Sequence, residues 1–121
     1  MLLDSNIVIG YLNGDPSIRE RLHTWRENGR VLFITHITVI EVLSQPTLHT
    51  EEIPEIEEFL NDFIIIPLDL NISLRAAEFR RKHSLQTPDA IIVASARVNN
   101  LPLVTRDKKL RLLPGIAFAE I

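Results

Sequence analysis

Short β-branched apolar runs alternate along this chain with longer segments of helical spacing, and that alternation limits the fold more than any other feature. Four runs read as strands: Met1–Leu3, Val31–Ile34, Phe63–Pro67 and Leu101–Thr105, with a short fifth at Ile116–Ala119. Between them the spacing predicts helices over Ile7–Leu12, Ser17–Glu27, His36–Leu43, Glu52–Asp62, Ser73–Lys82 and Pro88–Val98. Ser17–Glu27 puts Ile18, Leu22 and Trp25 on one side. Glu52–Asp62 puts Ile53, Ile56, Phe59 and Leu60 on one face, with acids on the other. Strands separated by helices imply an α/β layered fold with a mostly parallel sheet. In such sheets ligands bind beyond the carboxyl ends of the strands, where the strand order reverses.

At 121 residues, 45% of them apolar, the chain fits one domain over 1–121 with a substantial core. No apolar stretch approaches the roughly 20 residues that span a bilayer, and the opening MLLDSNIVIGYLNGD is a poor secretory signal. With no cysteine there is no disulfide framework and no thiolate metal site. These features together favour a cytoplasmic protein. A formal charge of −3 counts against a domain that grips nucleic acid by bulk electrostatics. It leaves room for a nuclease whose bound cations supply the local positive charge.

Four acids stand where that chemistry belongs. Asp4 follows the first strand, Asp107 follows the fourth, and Asp89 lies in the first turn of a helix. Glu41 sits on the apolar helix that follows the second strand. A parallel sheet brings all four to one edge, and clustered carboxylates suit hard cations such as Mg²⁺ and Mn²⁺. Each acid also has a plainer reading. Asp4 with Ser5 fits a helix cap, Asp89 after Thr87-Pro88 fits a helix dipole, and Asp107 fits a polar turn. Glu41 is harder to dismiss, because Val39, Ile40, Val42 and Leu43 surround it and only Thr38 and Gln45 extend its polar line.

The ordered set Asp4-Ser5-Asn6, Thr38 with Glu41, Thr87-Pro88-Asp89-Ala90 and Thr105-Arg106-Asp107 resembles the four acidic motifs of PIN-domain nucleases. The similarity runs from the first residues to about Pro114 and is nearest to VapC-like toxins of toxin–antitoxin pairs. The resemblance implies a three-layer α/β/α sandwich with a central, mostly parallel sheet. It also implies Mg²⁺- or Mn²⁺-dependent cleavage of single-stranded RNA, with a small antitoxin and a second copy of the chain as partners. By position, Asp4, Glu41, Asp89 and Asp107 are the implied catalytic and metal-binding acids, and Asn6 and Thr105 the polar groups orienting them. Family members often carry a further acid and a phenylalanine after the fourth motif, where this chain has Lys109 and Leu110.

Arg106, Lys108, Lys109 and Arg111 crowd that motif and suit RNA phosphates, or simply a solvated basic turn. Arg80, Arg81, Lys82 and His83 read first as a basic helix end. The four histidines show no zinc-type spacing. A catalytically weak PIN-like module that binds RNA or a partner is the alternative to an enzyme. A phosphoacceptor receiver domain is a third class, but it needs an acidic pair at the first strand, where this chain has Asp4-Ser5-Asn6.

Overall fold

A computed structural model describes residues 1–121. Strands β1 (Leu2–Leu3), β2 (Phe33–Thr35), β3 (Ile64–Ile66) and β4 (Leu103–Val104) form one sheet in the order β3-β2-β1-β4. Every pairing is parallel. The expected fifth strand is reduced to one parallel bridge, Leu103 to Phe118, at the edge beyond β4. Leu103 N donates to Ala117 O at 2.8 Å, and Ala119 N donates back to Leu103 O at 3.0 Å. The chain steps outward from β1 to β3, then crosses back to lay β4 on the other side of β1. The reversal of strand order therefore falls between β1 and β4.

The strands are only two or three residues long, shorter than the apolar runs suggested. They are apolar on both faces because both faces are covered, as parallel sheets require. Leu2, Phe33, Ile66 and Leu103 pack toward α5 (Leu70–His83) and α6 (Thr87–Val98). Leu3, Ile34, Ile65 and Val104 pack on the opposite side. That side is covered by α1 (Ser5–Leu12), α2 (Pro16–Glu27), α3 (His36–Leu43) and α4 (Ile53–Leu60). The result is a three-layer α/β/α sandwich.

Local chemistry sets the helix boundaries. The Asp15 side chain accepts from Ser17 N and Ile18 N, so α2 starts at Pro16. Asp69 accepts from Ile72 N at 2.8 Å, which starts α5 at Leu70, three residues before the apolar spacing predicts. The helix ends at Ser84, in a left-handed conformation with φ 55°. Gly10 gives α1 and α2 their close approach: a Cβ there would stand 2.5 Å from Ile18 Cδ1. Trp25 lies partly buried against the same core.

Truncating a fully buried side chain such as Leu3 or Ile34 to alanine costs about 2–5 kcal/mol. A single side-chain hydrogen bond contributes about 1 kcal/mol. The apolar layers, not the polar edge of the sheet, hold this fold together. Polar substitutions at that edge can therefore be read as effects on the site.

Candidate metal centre

Asp4 is the first residue past β1, and its amide donates to Val104 O at 2.9 Å, fixing its backbone at the strand-order reversal. Its side chain is buried. Although Asp4 is the N-cap residue of α1, its carboxylate makes no capping hydrogen bond. It turns instead to β4, where Thr105 Oγ1 donates to Asp4 Oδ2 at 2.7 Å. Burial raises the Asp4 carboxyl above the ordinary range, and the Thr105 hydroxyl opposes that rise. The negative charges of Asp89 and Asp107 push it further up.

Glu41 reaches the same edge from α3. That helix starts directly on the end of β2 because Thr35 Oγ1 accepts from Thr38 N at 3.4 Å. Glu41 is half-buried, and Ser5 Oγ donates to its Oε1 at 2.7 Å. The same hydroxyl lies 2.9 Å from Thr38 Oγ1, on a threonine with no exposed surface. The polar line along α3 thus meets a hydroxyl from α1 rather than solvent.

Asp89 lies in the first turn of α6, half-buried, and its carboxylate accepts no hydrogen bond. Burial raises its carboxyl, Asp107 and Glu41 raise it further, and the Lys109 ammonium works the other way. Asp107 is exposed on the loop after β4. Its amide donates to Thr105 Oγ1 at 3.0 Å, and its Oδ1 accepts from Lys109 N at 2.8 Å and Leu110 N at 3.2 Å. The turn reading of Asp107 therefore describes one of its oxygens correctly.

Acids reaching one edge of the sheet from the end of β1, α3, α6 and the β4 loop thus raise the carboxyls of two of them. Asp4 feels Asp89 and Asp107, and Asp89 feels Asp107 and Glu41. No three His, Asp or Glu side chains are grouped tightly enough to grip an ion as they stand. The donor chemistry still fits a hard divalent cation, since the four acids and the Ser5 and Thr105 hydroxyls beside them offer only oxygen. The edge is open. None of the four acids lines any of the larger cavities.

The neighbouring polar groups differ from expectation at two places. Asn6 is exposed and makes no side-chain hydrogen bond, while the adjacent Ser5 makes two. Position 5 faces α3 and position 6 faces solvent. The signal available in the sequence was a carboxylate on an otherwise apolar helix, which needs a hydroxyl partner from elsewhere. Arg106 is not a free cation for RNA. Its guanidinium donates to Asp15 Oδ2 at 2.9 Å and Ser17 Oγ at 2.6 Å, fastening the Asp107 loop to the start of α2. The Ile18 amide, the Arg106 guanidinium and the Ser17 hydroxyl together lower the Asp15 carboxyl to about 2. Lys108 and Lys109 remain exposed. Arg111 donates to the Thr105 carbonyl at 3.3 Å and to Glu120 Oε1 at 2.6 Å.

A parallel α/β/α sandwich with acids gathered where its strand order reverses defines a PIN-like domain. The PIN domain family matches residues 1–116, and the chain belongs to that family, whose members are in general nucleases. Among solved structures, the chain is similar to one in a toxin–antitoxin complex from Klebsiella pneumoniae. The two are 30% identical over 99% of this chain and 98% of that one, with a TM-score of 0.83. It shares its fold with a chain of VapBC2 from Rickettsia felis bound to a promoter DNA fragment, at 21% identity, 99% and 97% coverage and a TM-score of 0.84. It shares it also with a chain of FitAcB from Neisseria gonorrhoeae, at 24% identity, 98% and 96% coverage and a TM-score of 0.72. No curated relative matches the chain.

Proposed function

We propose that this chain is a Mg²⁺- or Mn²⁺-dependent endoribonuclease that hydrolyses phosphodiester bonds in single-stranded RNA as the toxin of a toxin–antitoxin pair. The observation that carries the reading is the meeting of acids at the strand-order reversal, where Asp89 and Asp107 push Asp4 up and Asp107 and Glu41 push Asp89 up. Without a cation, the carboxyls of Asp4 and Asp89 are held above the ordinary range. A pair of raised carboxyls beside one another is the kind of perturbation that functional sites carry.

Asp4, Glu41 and Asp89 are the residues that would hold the ion. When bound, it supplies positive charge to a phosphate and lowers the pKa of water. The chain's part is orientation. Thr105 fixes Asp4 through Oδ2, and Ser5 fixes Glu41 through Oε1. Glu41 keeps Oε2 free of hydrogen bonds for an ion or its water. The exposed Lys108 and Lys109 would meet RNA phosphates.

The antitoxin partner rests on the similarity to a chain of the Klebsiella complex. A cleft between α1, α3 and α4, lined by Ile9, Val42, Ile56 and Phe59 together with the acids Glu52 and Glu55, suits a basic amphipathic segment. A homodimer is supported by Leu70 and Leu74, one turn apart on α5 and 73% and 64% exposed. No helix is long and apolar enough to cross a membrane. The reading puts the protein in the cytoplasm, with its RNA substrate.

The test is incubation of the purified chain with single-stranded RNA and Mn²⁺, with and without a chelator. Cleavage that the chelator abolishes supports the reading. RNA retained but never cut makes the chain a binding module instead.

A further inference from the structure

We propose that the basic corner between α5 and α6 is a docking surface for the RNA strand, with Arg80 and Arg81 receiving its phosphates. The inference rests on the RNA-cleaving reading above and says where the strand lies beside the acidic edge.

The first observation is which cations lack a partner. Helix α5 carries one acid, Glu78, and its carboxylate is taken by Arg75 at 3.5 Å and Lys82 at 2.9 Å. Arg106 is paired with Asp15, and Arg111 with Glu120. Arg80 and Arg81, on the last turn of α5, are exposed and pair with no carboxylate. In a chain with a formal charge of −3, a polyanion is held only where cations are left locally unpaired.

The second observation is how the corner is built. Ser84 ends α5 in the left-handed conformation, and Leu85 anchors the turn in the core at 4% exposure. The Leu85 carbonyl accepts from Arg80 Nε at 3.1 Å, which ties that guanidinium to the corner and leaves its two terminal nitrogens unbonded. Arg80, Arg81, Ser84 and Gln86 line an open cavity of about 570 Å³. A helix dipole alone favours cations at this end of α5, but it calls for neither a cavity nor a tethered guanidinium.

The third observation is where the cavity leads. Gln86 is the N-cap residue of α6, its side chain makes no capping bond, and Asp89 lies in the first turn of that helix. At 1.5 Å per residue the two stand about 4.5 Å apart along the helix axis. A strand whose phosphates rest on Arg80 and Arg81 therefore passes directly to the acidic edge.

The experiment is binding of a labelled single-stranded oligouridylate to the full chain, by fluorescence anisotropy across a range of salt, in chelator so that nothing is cut. Each phosphate contact on a single strand contributes about 0.7 to the slope of log affinity against log salt. Arg80→Ala and Arg81→Ala should each bind several-fold more weakly, with a slope smaller by about that amount. Arg81→Ala breaks no hydrogen bond of the corner, so its loss reads the phosphate contact alone. Arg30→Ala removes another exposed, unpaired cation before β2, at the amino end of the strands, and should bind as wild type does. Wild-type affinity and slope in Arg81→Ala, an equal loss in Arg30→Ala, or no salt-dependent binding by wild type would each overturn the docking surface. Cleavage in Mn²⁺ decides the underlying reading separately: weakened binding by the two variants with no cleavage by wild type would keep the surface and remove the nuclease.

Discussion

Thr105 Oγ1 and Asp4 Oδ2 lie 2.7 Å apart, joining residues 101 positions apart in sequence across the strand-order reversal. The hydroxyl is spent twice, donating to Asp4 and accepting from the Asp107 amide. Two of the four acids therefore take their position from one side chain. Thr105→Val keeps the shape and removes both bonds. It should weaken Mn²⁺ binding about 10- to 100-fold, as losses of such supporting partners generally do. Calorimetric titration checks this, and Thr105→Ser should restore most of the affinity.

Ser5 does for Glu41 what Thr105 does for Asp4. Ser5→Ala leaves Glu41 and the buried Thr38 hydroxyl without their shared partner. The expected cost is about 1 kcal/mol of stability, read from denaturant unfolding. RNA cleavage should fall with kcat while KM changes little, since Glu41 loses orientation rather than substrate contact. Asn6→Ala, on the exposed side of the same turn, should leave both quantities close to wild type.

The raised carboxyls of Asp4 and Asp89 make the metal-free site a stability liability at neutral pH. Between the ordinary aspartate pKa and their raised values the folded chain binds more protons than the unfolded one. Their contribution therefore falls as pH rises through that window. Asp89→Asn should raise the Tm of the metal-free protein at pH 7 by a few degrees. Mn²⁺ should raise the Tm of wild type and leave that of Asp89→Asn unchanged. Differential scanning calorimetry reads all three.

Asp15 has the opposite sign. Its carboxyl falls from 3.8 to about 2 in the folded chain, so its contribution is present above pH 4 and is lost as pH drops toward 2. Asp15→Asn should flatten that acid limb of the stability profile and lower the Tm at neutral pH. Arg106→Ala should lower the Tm in the same direction, because both variants release the Asp107 loop from α2. Combining the two should cost less than the sum, since each removes the same ion pair.

The layers of the fold were legible because periodicity survives in short elements. Ile18 and Leu22 on α2, and Leu2 and Leu3 on β1, are buried where their spacing put them. Boundaries were less legible, since Asp69 starts α5 through a side-chain cap that apolar spacing does not register. The sequence set Asp4 and Asp107 just after strands and Glu41 and Asp89 on helices, but bringing them together needs the chain to cross back from β3 to β4, a topology no local pattern encodes. Ser5 and Arg106 escaped for the same reason. Their partners, Glu41 and Asp15, lie 36 and 91 residues away.

The most direct test is cleavage of a labelled single-stranded RNA in Mg²⁺ by wild type, Asp4→Asn, Glu41→Gln and Asp89→Asn, each shown to be folded by circular dichroism. The account predicts cleavage by wild type alone, abolished by chelator. Wild-type rates in Asp4→Asn or Asp89→Asn, or undiminished cleavage in chelator, would contradict it.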